Sequence, residues 1–361
     1  MRIAFVTVGE TSRLTGGYLY HARVFAGLRE KGIEVETLVA SGAAPAEQEA
    51  AAPRLGTRLD LRRFDAIVVD ALARIVCAPW LDGWRASHPV VAMVHELPSI
   101  AAGGGVAREQ EFEEPLLRAD RLIAVSDHGR FILQSRGVPA ERVRVVPPGF
   151  DRLLSPDAAT KHSAGHSSRV HALCVAQWIP RKGILGLVLA WTAHERPGAM
   201  LDLIGETDAD PAYATSVLAA IAGVSGSSIS VRGPVDDATL GAAYAAADLF
   251  VLPSRYEGYG IVYAEALAHG LPIIACDVGP VPELVGEAAL LVPPDDIQAL
   301  SGALDKLLGE PTMRSRMSEA AYCRAEGLPR WEDTTAGFLR VLREVQVLRS
   351  ARQPPYNLSE L

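Results

Sequence analysis

Short β-branched runs alternate with helical stretches along almost the whole 361-residue chain. In the first half, Ile3–Val8 reads as a buried strand and Tyr20–Lys31 as a helix stopped by Gly32. Further strands are expected at Glu34–Val39, Ala66–Val69, Val90–Val94 (with a break at Pro98), Leu122–Val125 and Val143–Val146. Ser126 is placed to cap a helix that starts near His128. Strands that are apolar throughout, rather than on alternate residues, are buried on both faces. That pattern predicts a parallel sheet covered by helices on either side, a doubly wound α/β arrangement.

Residues 155–168, SPDAATKHSAGHSS, have no apolar periodicity and read as a linker. Beyond them the alternation restarts at Val170–Ala176 and continues through Met200–Ile204, Ser228–Val231, Leu249–Leu252, Ile273–Ala275 and Ala289–Val292. The chain therefore reads as an N-terminal domain over 1–154, a second domain over 169–330, and a C-terminal stretch over 331–361. That last stretch holds an amphipathic helix, around Trp331–Leu348, which is expected to return to the first domain, and a frayed tail from Gln353. Two such sheets leave a cleft at the C-terminal ends of their strands, where open α/β sheets bind ligands.

Charge narrows the kind of ligand. The chain carries a net −8; residues 1–151 hold 18 Lys/Arg against 19 Asp/Glu, and the rest hold 17 against 24. No broad basic face exists, so nucleic acid is not an expected partner. Any phosphate must be held by a few placed groups. Cys77, Cys174, Cys276 and Cys323 are far apart and, for the three in apolar stretches, read as buried free thiols. No apolar run is long enough to span a membrane, and MRIAFVTVG leads straight into a strand pattern, so a cytoplasmic location is expected.

The most informative stretch is PSRYEGYGIVYAEALAHGLP, Pro253–Pro272. A strand ends at Leu252, Gly258 and Gly260 make a tight turn, and a helix runs on to a Gly270–Pro272 stop. Glycines at a helix mouth let backbone N–H groups approach an anion that the helix dipole favours. Glu257 and Glu265 stand eight positions apart, up to about 12 Å along a helix. That spacing suits two polar groups of one long ligand. It equally suits a turn residue and a solvated helix face.

Here the residues resemble a known family. Glu257-Gly258-Tyr259-Gly260 with Glu265-Ala266-Leu267 is similar to the E-x7-E signature of retaining glycosyltransferases of family four. The resemblance implies the GT-B fold, two facing Rossmann-like doubly wound domains with an interdomain cleft. It also implies a nucleotide-diphosphate sugar donor and no metal or other cofactor, with UDP, GDP or ADP left open. By the same resemblance Glu265 would hold the ribose and Glu257 the transferred sugar, while Tyr259, Gly260 and Ile261 would lie near the diphosphate. Val175–Gly183 resembles the family's V-G-R-x-x-x-x-K-G segment, which makes Lys182 the diphosphate-binding lysine. Ala176-Gln177 departs from the usual Gly-Arg, removing one fixed positive charge; Arg181 is either its substitute or a solvated neighbour.

The similarity extends over most of the chain. Thr15-Gly16-Gly17 matches a glycine pair that closes over donor and acceptor, and His95 matches an active-site histidine beside the transferred sugar. Ala119–Ser126 and Val145–Asp151 resemble the A-D…V-S and I-P-N-G-V-D segments, with Pro148 replacing the usual Asn. Gly279–Glu283 resembles G-G-x-x-E, with Pro280 for the second glycine, and Arg232-Gly233 falls where the family strand meets the nucleobase. The expected catalytic set is His95, Lys182 and Glu257. The expected donor-binding set is Gly16, Gly17, Arg181, Lys182, Arg232, Glu257, Gly258, Tyr259, Gly260, Ile261 and Glu265.

Other patterns point elsewhere and are set aside. Asp208-Ala209-Asp210 has the form of a metal-diphosphate motif but reads as a solvated turn. His95-Glu96 and His194-Glu195 lack a second histidine four positions after the first, and no nucleophile-elbow or Walker sequence is present. Arg54, Arg58, Arg62 and Arg63 read as a solvated basic face, though an acceptor phosphate or anionic lipid would also suit them. The reading is a hexosyl transfer to a small-molecule, saccharide or lipid-linked hydroxyl, with little or no membrane association. Its rivals are a non-catalytic nucleotide-sugar binding protein and a sugar-nucleotide epimerase of the same architecture.

Overall fold

A computed structural model of the protein describes residues 1–10, 13, 15–42, 44–101, 107–154, 169–223 and 228–352. The stretch read as a linker, 155–168, and the tail from Gln353 lie outside them. The chain divides into two compact units: residues 1–148 with 331–361, and residues 149–330.

The first unit is built on a six-stranded sheet of β1 (Arg2–Val8), β2 (Glu34–Ala40), β3 (Ala66–Asp70), β4 (Val90–Val94), β5 (Arg121–Ala124) and β6 (Val143–Val145). The strands lie in the order β2-β1-β3-β4-β5-β6, and every pair is parallel. Every residue of β3 and β4 is buried, which is why Ala66–Val69 and Val90–Val94 read as unbroken apolar runs; Asp70, which ends β3, is a buried carboxylate. The helix Trp331–Arg352 belongs to this unit although it is separated from the rest by the whole second unit. It packs on the helix Gly16–Glu30 so closely that a Cβ on Gly27 would stand 2.5 Å from Thr335 Oγ1. Glu344 on the same helix pairs with Arg121 and Arg144, and Thr334 donates to the carbonyl of Pro147.

The second unit repeats the plan with β7 (Val170–Val175), β8 (Ala199–Ile204), β9 (Ile229–Gly233), β10 (Leu249–Leu252), β11 (Ile273–Cys276) and β12 (Ala289–Val292). Their order is β12-β11-β10-β7-β8-β9, again all parallel, the doubly wound order of nucleotide-binding sheets. Trp178, Trp191, Tyr244, Tyr263 and Phe250 are among the large side chains buried against this sheet. Cys77, Cys174 and Cys276 are buried free thiols and Cys323 is exposed.

Boundaries differ from the sequence reading where caps decide them. The helix expected from Tyr20 begins at Gly16, because the Thr15 hydroxyl accepts from Tyr18 N. Pro98 opens the short helix Pro98–Ala101, since a first helical position needs no N–H. Ser126 caps the helix Asp127–Ser135 through Gly129 N. Among the described residues no helix is long and apolar enough to cross a membrane.

Candidate functional site

In the second unit the winding reverses between β7 and β10: the chain leaves β7 toward β8 on one side and β10 toward β11 on the other. The crevice at such a reversal is where these sheets hold ligands. The connection after β7 carries Gln177, Arg181 and Lys182, and that after β10 carries Glu257 to Gly260. The two motifs, far apart in sequence, thus emerge side by side.

Backbone contacts lock the two connections together. Arg255 N donates to Arg181 O at 2.8 Å. Gly183 has φ +71°, and a Cβ there would stand 2.3 Å from Pro253 O, so only glycine fits both the conformation and the space. Lys182 closes the short turn Pro180–Lys182, and its Nζ donates to Glu257 Oε1 at 2.6 Å. Glu257 is 4% exposed. Burial pulls its carboxyl upward, but Lys182 and Arg181 outweigh that and hold it below the ordinary glutamate range.

Gly258, Tyr259 and Gly260 then lead into the helix Ile261–Ala268. Gly260 stands at φ +95°, and a Cβ on it would meet Tyr263 Cδ2 at 2.5 Å. The Tyr263 hydroxyl donates to Leu252 O at 2.7 Å, pinning the first turn of this helix onto the end of β10. Amides in a first turn lack intrahelical acceptors, so this mouth is chemically suited to an anion.

Glu265 lies further along the helix and is fully buried. Its Oε1 accepts from Arg152 Nε at 2.6 Å and its Oε2 from the Tyr244 hydroxyl at 3.2 Å. Arg152 also binds Asp237. Burial raises the Glu265 carboxyl above the ordinary range although Arg152 opposes it. Neither glutamate is a solvated surface group. Each is buried in its own charge pair.

The remaining expectations fall as follows. Gln177 Nε2 donates to Glu206 Oε2 at 2.6 Å, so the residue standing for the usual arginine is engaged with the connection after β8. Arg232 is exposed on the edge strand β9 and lines a groove with His171, Asp202 and Thr239, while Gly233 O accepts from Gly205 N. Asp208 is exposed and Asp210 caps the helix Pro211–Ala222 through Tyr213 N. In the basic cluster, Arg62 pairs with Asp60 and Arg63 with Glu36; the Arg58 side chain lies outside the described residues.

In the first unit the glycine pair and the histidine do meet. Gly16 opens its helix, and a Cβ on Gly17 would stand 3.6 Å from His95 Cδ2. His95 follows β4, and its Nε2 lies 2.9 Å from Nε2 of His21. Asp70, at the end of β3, lies 3.9 Å from His21 Nε2 and accepts from the Thr7 hydroxyl at 2.7 Å. Burial pushes both imidazoles down to about 3, reinforced at His95 by His21 and opposed there by Asp70, so both rings are uncharged at neutral pH. Sequence reasoning missed His21, Asp70 and Arg152. A carboxylate at the end of a strand bordering the β1/β3 reversal was the available signal for Asp70.

Residues 169–310 match the family described as Glycosyl transferases group 1, and residues 20–152 match Glycosyltransferase Family 4. The chain belongs to the family 4 glycosyltransferases. Among curated relatives of this glycosyltransferase family, an MMP alpha-(1->4)-mannosyltransferase of Mycolicibacterium hassiacum is 30% identical over 277 residues, 71% of this chain and 66% of the relative. A D-inositol 3-phosphate glycosyltransferase of Nocardia farcinica is 29% identical over 293 residues, 72% of this chain and 62% of the relative. The matched part spans just under two thirds of the length of these curated relatives. Among solved structures, a sucrose-phosphate synthase from Thermosynechococcus elongatus has a TM-score of 0.81 at 22% identity, covering 96% of this chain and all of that one. Anabaena HepE in complex with UDP-glucose has a TM-score of 0.73 at 20% identity, covering 97% and 100%. These likenesses establish the GT-B fold of two Rossmann-like domains.

Proposed function

We propose that this family 4 chain is a retaining glycosyltransferase that moves a hexosyl unit from a nucleotide-diphosphate sugar to a hydroxyl acceptor. The observation that carries the reading is the convergence at the β7/β10 reversal of Lys182, Glu257 and the helix mouth at Gly258–Gly260. A cation, a run of glycine-turn amides and a helix N-terminus are what a departing diphosphate needs. Relatives whose names specify mannosyl transfer and an inositol phosphate support a hexose donor and a polar hydroxyl acceptor.

In this reading the bond from the anomeric carbon to the diphosphate oxygen breaks first, through an oxocarbenium-like transition state. The acceptor oxygen bonds to the same face, and its proton passes to the leaving phosphate. Lys182 and the amides of Tyr259, Gly260 and Ile261 carry the growing negative charge. Glu257, ionised and paired with Lys182, orients sugar hydroxyls; Glu265 holds the ribose. By the family resemblance alone, Gly16, Gly17 and His95 are assigned to the transferred sugar. No step is routed through a metal, and no separate nucleophile–base pair is required.

Labelled UDP-, GDP- and ADP-hexoses, incubated with the protein and a panel of sugar, inositol and lipid-linked acceptors, test the proposal. The expected outcome is transfer with the donor's anomeric configuration kept, as read by NMR, and undiminished by a chelator. An epimerised nucleotide-sugar, binding without turnover, or inversion of configuration would each overturn it.

A further inference from the structure

His21, Asp70 and His95 each offer one ligand atom, and these atoms all lie within 4.8 Å of one another. Three separate elements deliver them: the helix Gly16–Glu30 and the ends of β3 and β4, beside the β1/β3 reversal of the first sheet. The reversal explains why they converge, since the connections after β1 and β3 open away from each other there.

The two Nε2 atoms face each other at 2.9 Å, so at most one proton serves both. His21 Nδ1, the ring nitrogen that does not face His95, is buried without a hydrogen-bond partner among the described residues, and an ion on Nε2 would leave it so. His21 is nevertheless 5% exposed and its ring is fixed, edge-on to Phe5 at 4.7 Å and stacked on Phe25 at 5.9 Å. Asp70 is fully buried and held by the Thr7 hydroxyl on Oδ2 and Leu72 N on Oδ1. A rigid pair of imidazoles with an outer-supported carboxylate is the donor set of a transition-metal site.

We propose that His21, Asp70 and His95 form a binding site for one divalent transition-metal ion of the zinc class. Ligand bonds of about 2.0–2.1 Å in a tetrahedral site set ligand–ligand separations of about 3.3 Å. The separations of 2.9 Å from His21 to His95 and 3.9 Å from His21 to Asp70 lie on either side of that value, and all three ligand atoms fall within 4.8 Å of one another, so an ion at their centre draws the carboxylate in and spreads the two imidazoles. Three protein ligands leave a fourth position for water or an exchangeable group. Binding follows from the donor set and is independent of the proposed reaction. Its consequence rests on that reading: an ion held by His95 Nε2 takes away the nitrogen assigned to the sugar, so zinc inhibits transfer.

The test is zinc retained after equilibrium dialysis, counted by elemental analysis in a Cys323→Ser background that removes the exposed thiol. One ion per chain is expected, with affinity lowered at least tenfold by His21→Ala and by Asp70→Asn. His162→Ala with His166→Ala, which removes a second histidine pair in the sequence, is expected to leave the ion in place. X-ray absorption of the zinc-loaded Cys323→Ser protein, all three proposed ligands intact, is expected to show two imidazoles and oxygen. It keeps the question decidable if a ligand variant fails to fold. No retained zinc, or zinc lost with His162 and His166 but kept without His21, would overturn the proposal. Because binding is read directly, an inactive protein that still binds zinc would count against the transferase reading alone.

Discussion

Arg152 is the residue on which the second unit's buried charge depends. Replacing it with Met keeps the aliphatic volume and removes the cation from between Glu265 and Asp237. The Asp237 side chain is 44% exposed and can be solvated, so the cost concentrates on Glu265, whose side chain is 0% exposed. Removing one partner of a buried pair costs about 3–5 kcal/mol. Glu265 has one escape, which is to take up a proton. Protonating an ordinary carboxyl of pKa about 4.3 at pH 7 costs about 4 kcal/mol, at about 1.4 kcal/mol per pH unit. The expected loss at pH 7 is therefore about 3–4 kcal/mol.

The pH dependence has a definite sign. In Arg152→Met the folded carboxyl is raised further above its unfolded value, so the folded state binds the extra proton. The stability it retains is fully present below the unfolded pKa and is lost as pH rises through the folded one. The deficit relative to the parent should thus grow from pH 5 to pH 7 by up to about 1.4 kcal/mol per unit. Urea unfolding followed through the buried Trp178 and Trp191, at several pH values, measures it. Adding Glu265→Gln should flatten the pH dependence and recover most of the loss, giving a coupling energy from the double-mutant cycle. A deficit that is equal at pH 5 and pH 8, or one that Glu265→Gln does not relieve, would refute the reasoning.

Lys182→Ala removes the cation assigned to the leaving diphosphate and leaves Glu257 buried without its ion pair; turnover with the accepted donor should fall at least about 100-fold, and near-parental turnover would remove its assigned role. Gly260→Ala forces a side chain into φ +95° and onto Tyr263, so it should lower stability by about 1–3 kcal/mol and weaken donor binding in a titration. Of the four thiols, Cys323 alone should react with a thiol reagent in the folded protein, because the other three are buried; burial pushes the Cys174 thiol up to about 12.

The sheets were legible because parallel strands are apolar on both faces: β3 as far as Val69, and the whole of β4, β10 and β11, read as unbroken apolar sequence ending close to the true boundaries. The Glu257 and Lys182 motifs were legible for a different reason, since loops at a winding reversal carry short, recognisable spacings. What escaped notice was pairing across the chain. Arg152 meets Glu265 over 113 positions and His21 meets His95 over 74, and no local periodicity encodes such partners. Burial of the two glutamates was likewise hidden, because eight-residue spacing suits a solvated face as readily as a buried one.

The return of the helix Trp331–Arg352 to the first unit has a consequence for synthesis. Phe338, Val341, Leu342 and Val345 are buried, and they are among the last residues of this unit to leave the ribosome. Residues 149–330 form a contiguous segment and are complete while those side chains are still untranslated. The unit made first in sequence is therefore the one finished last. Until then the face of the Gly16–Glu30 helix that later receives Thr335 waits uncovered on the nascent chain, a natural client surface for chaperones.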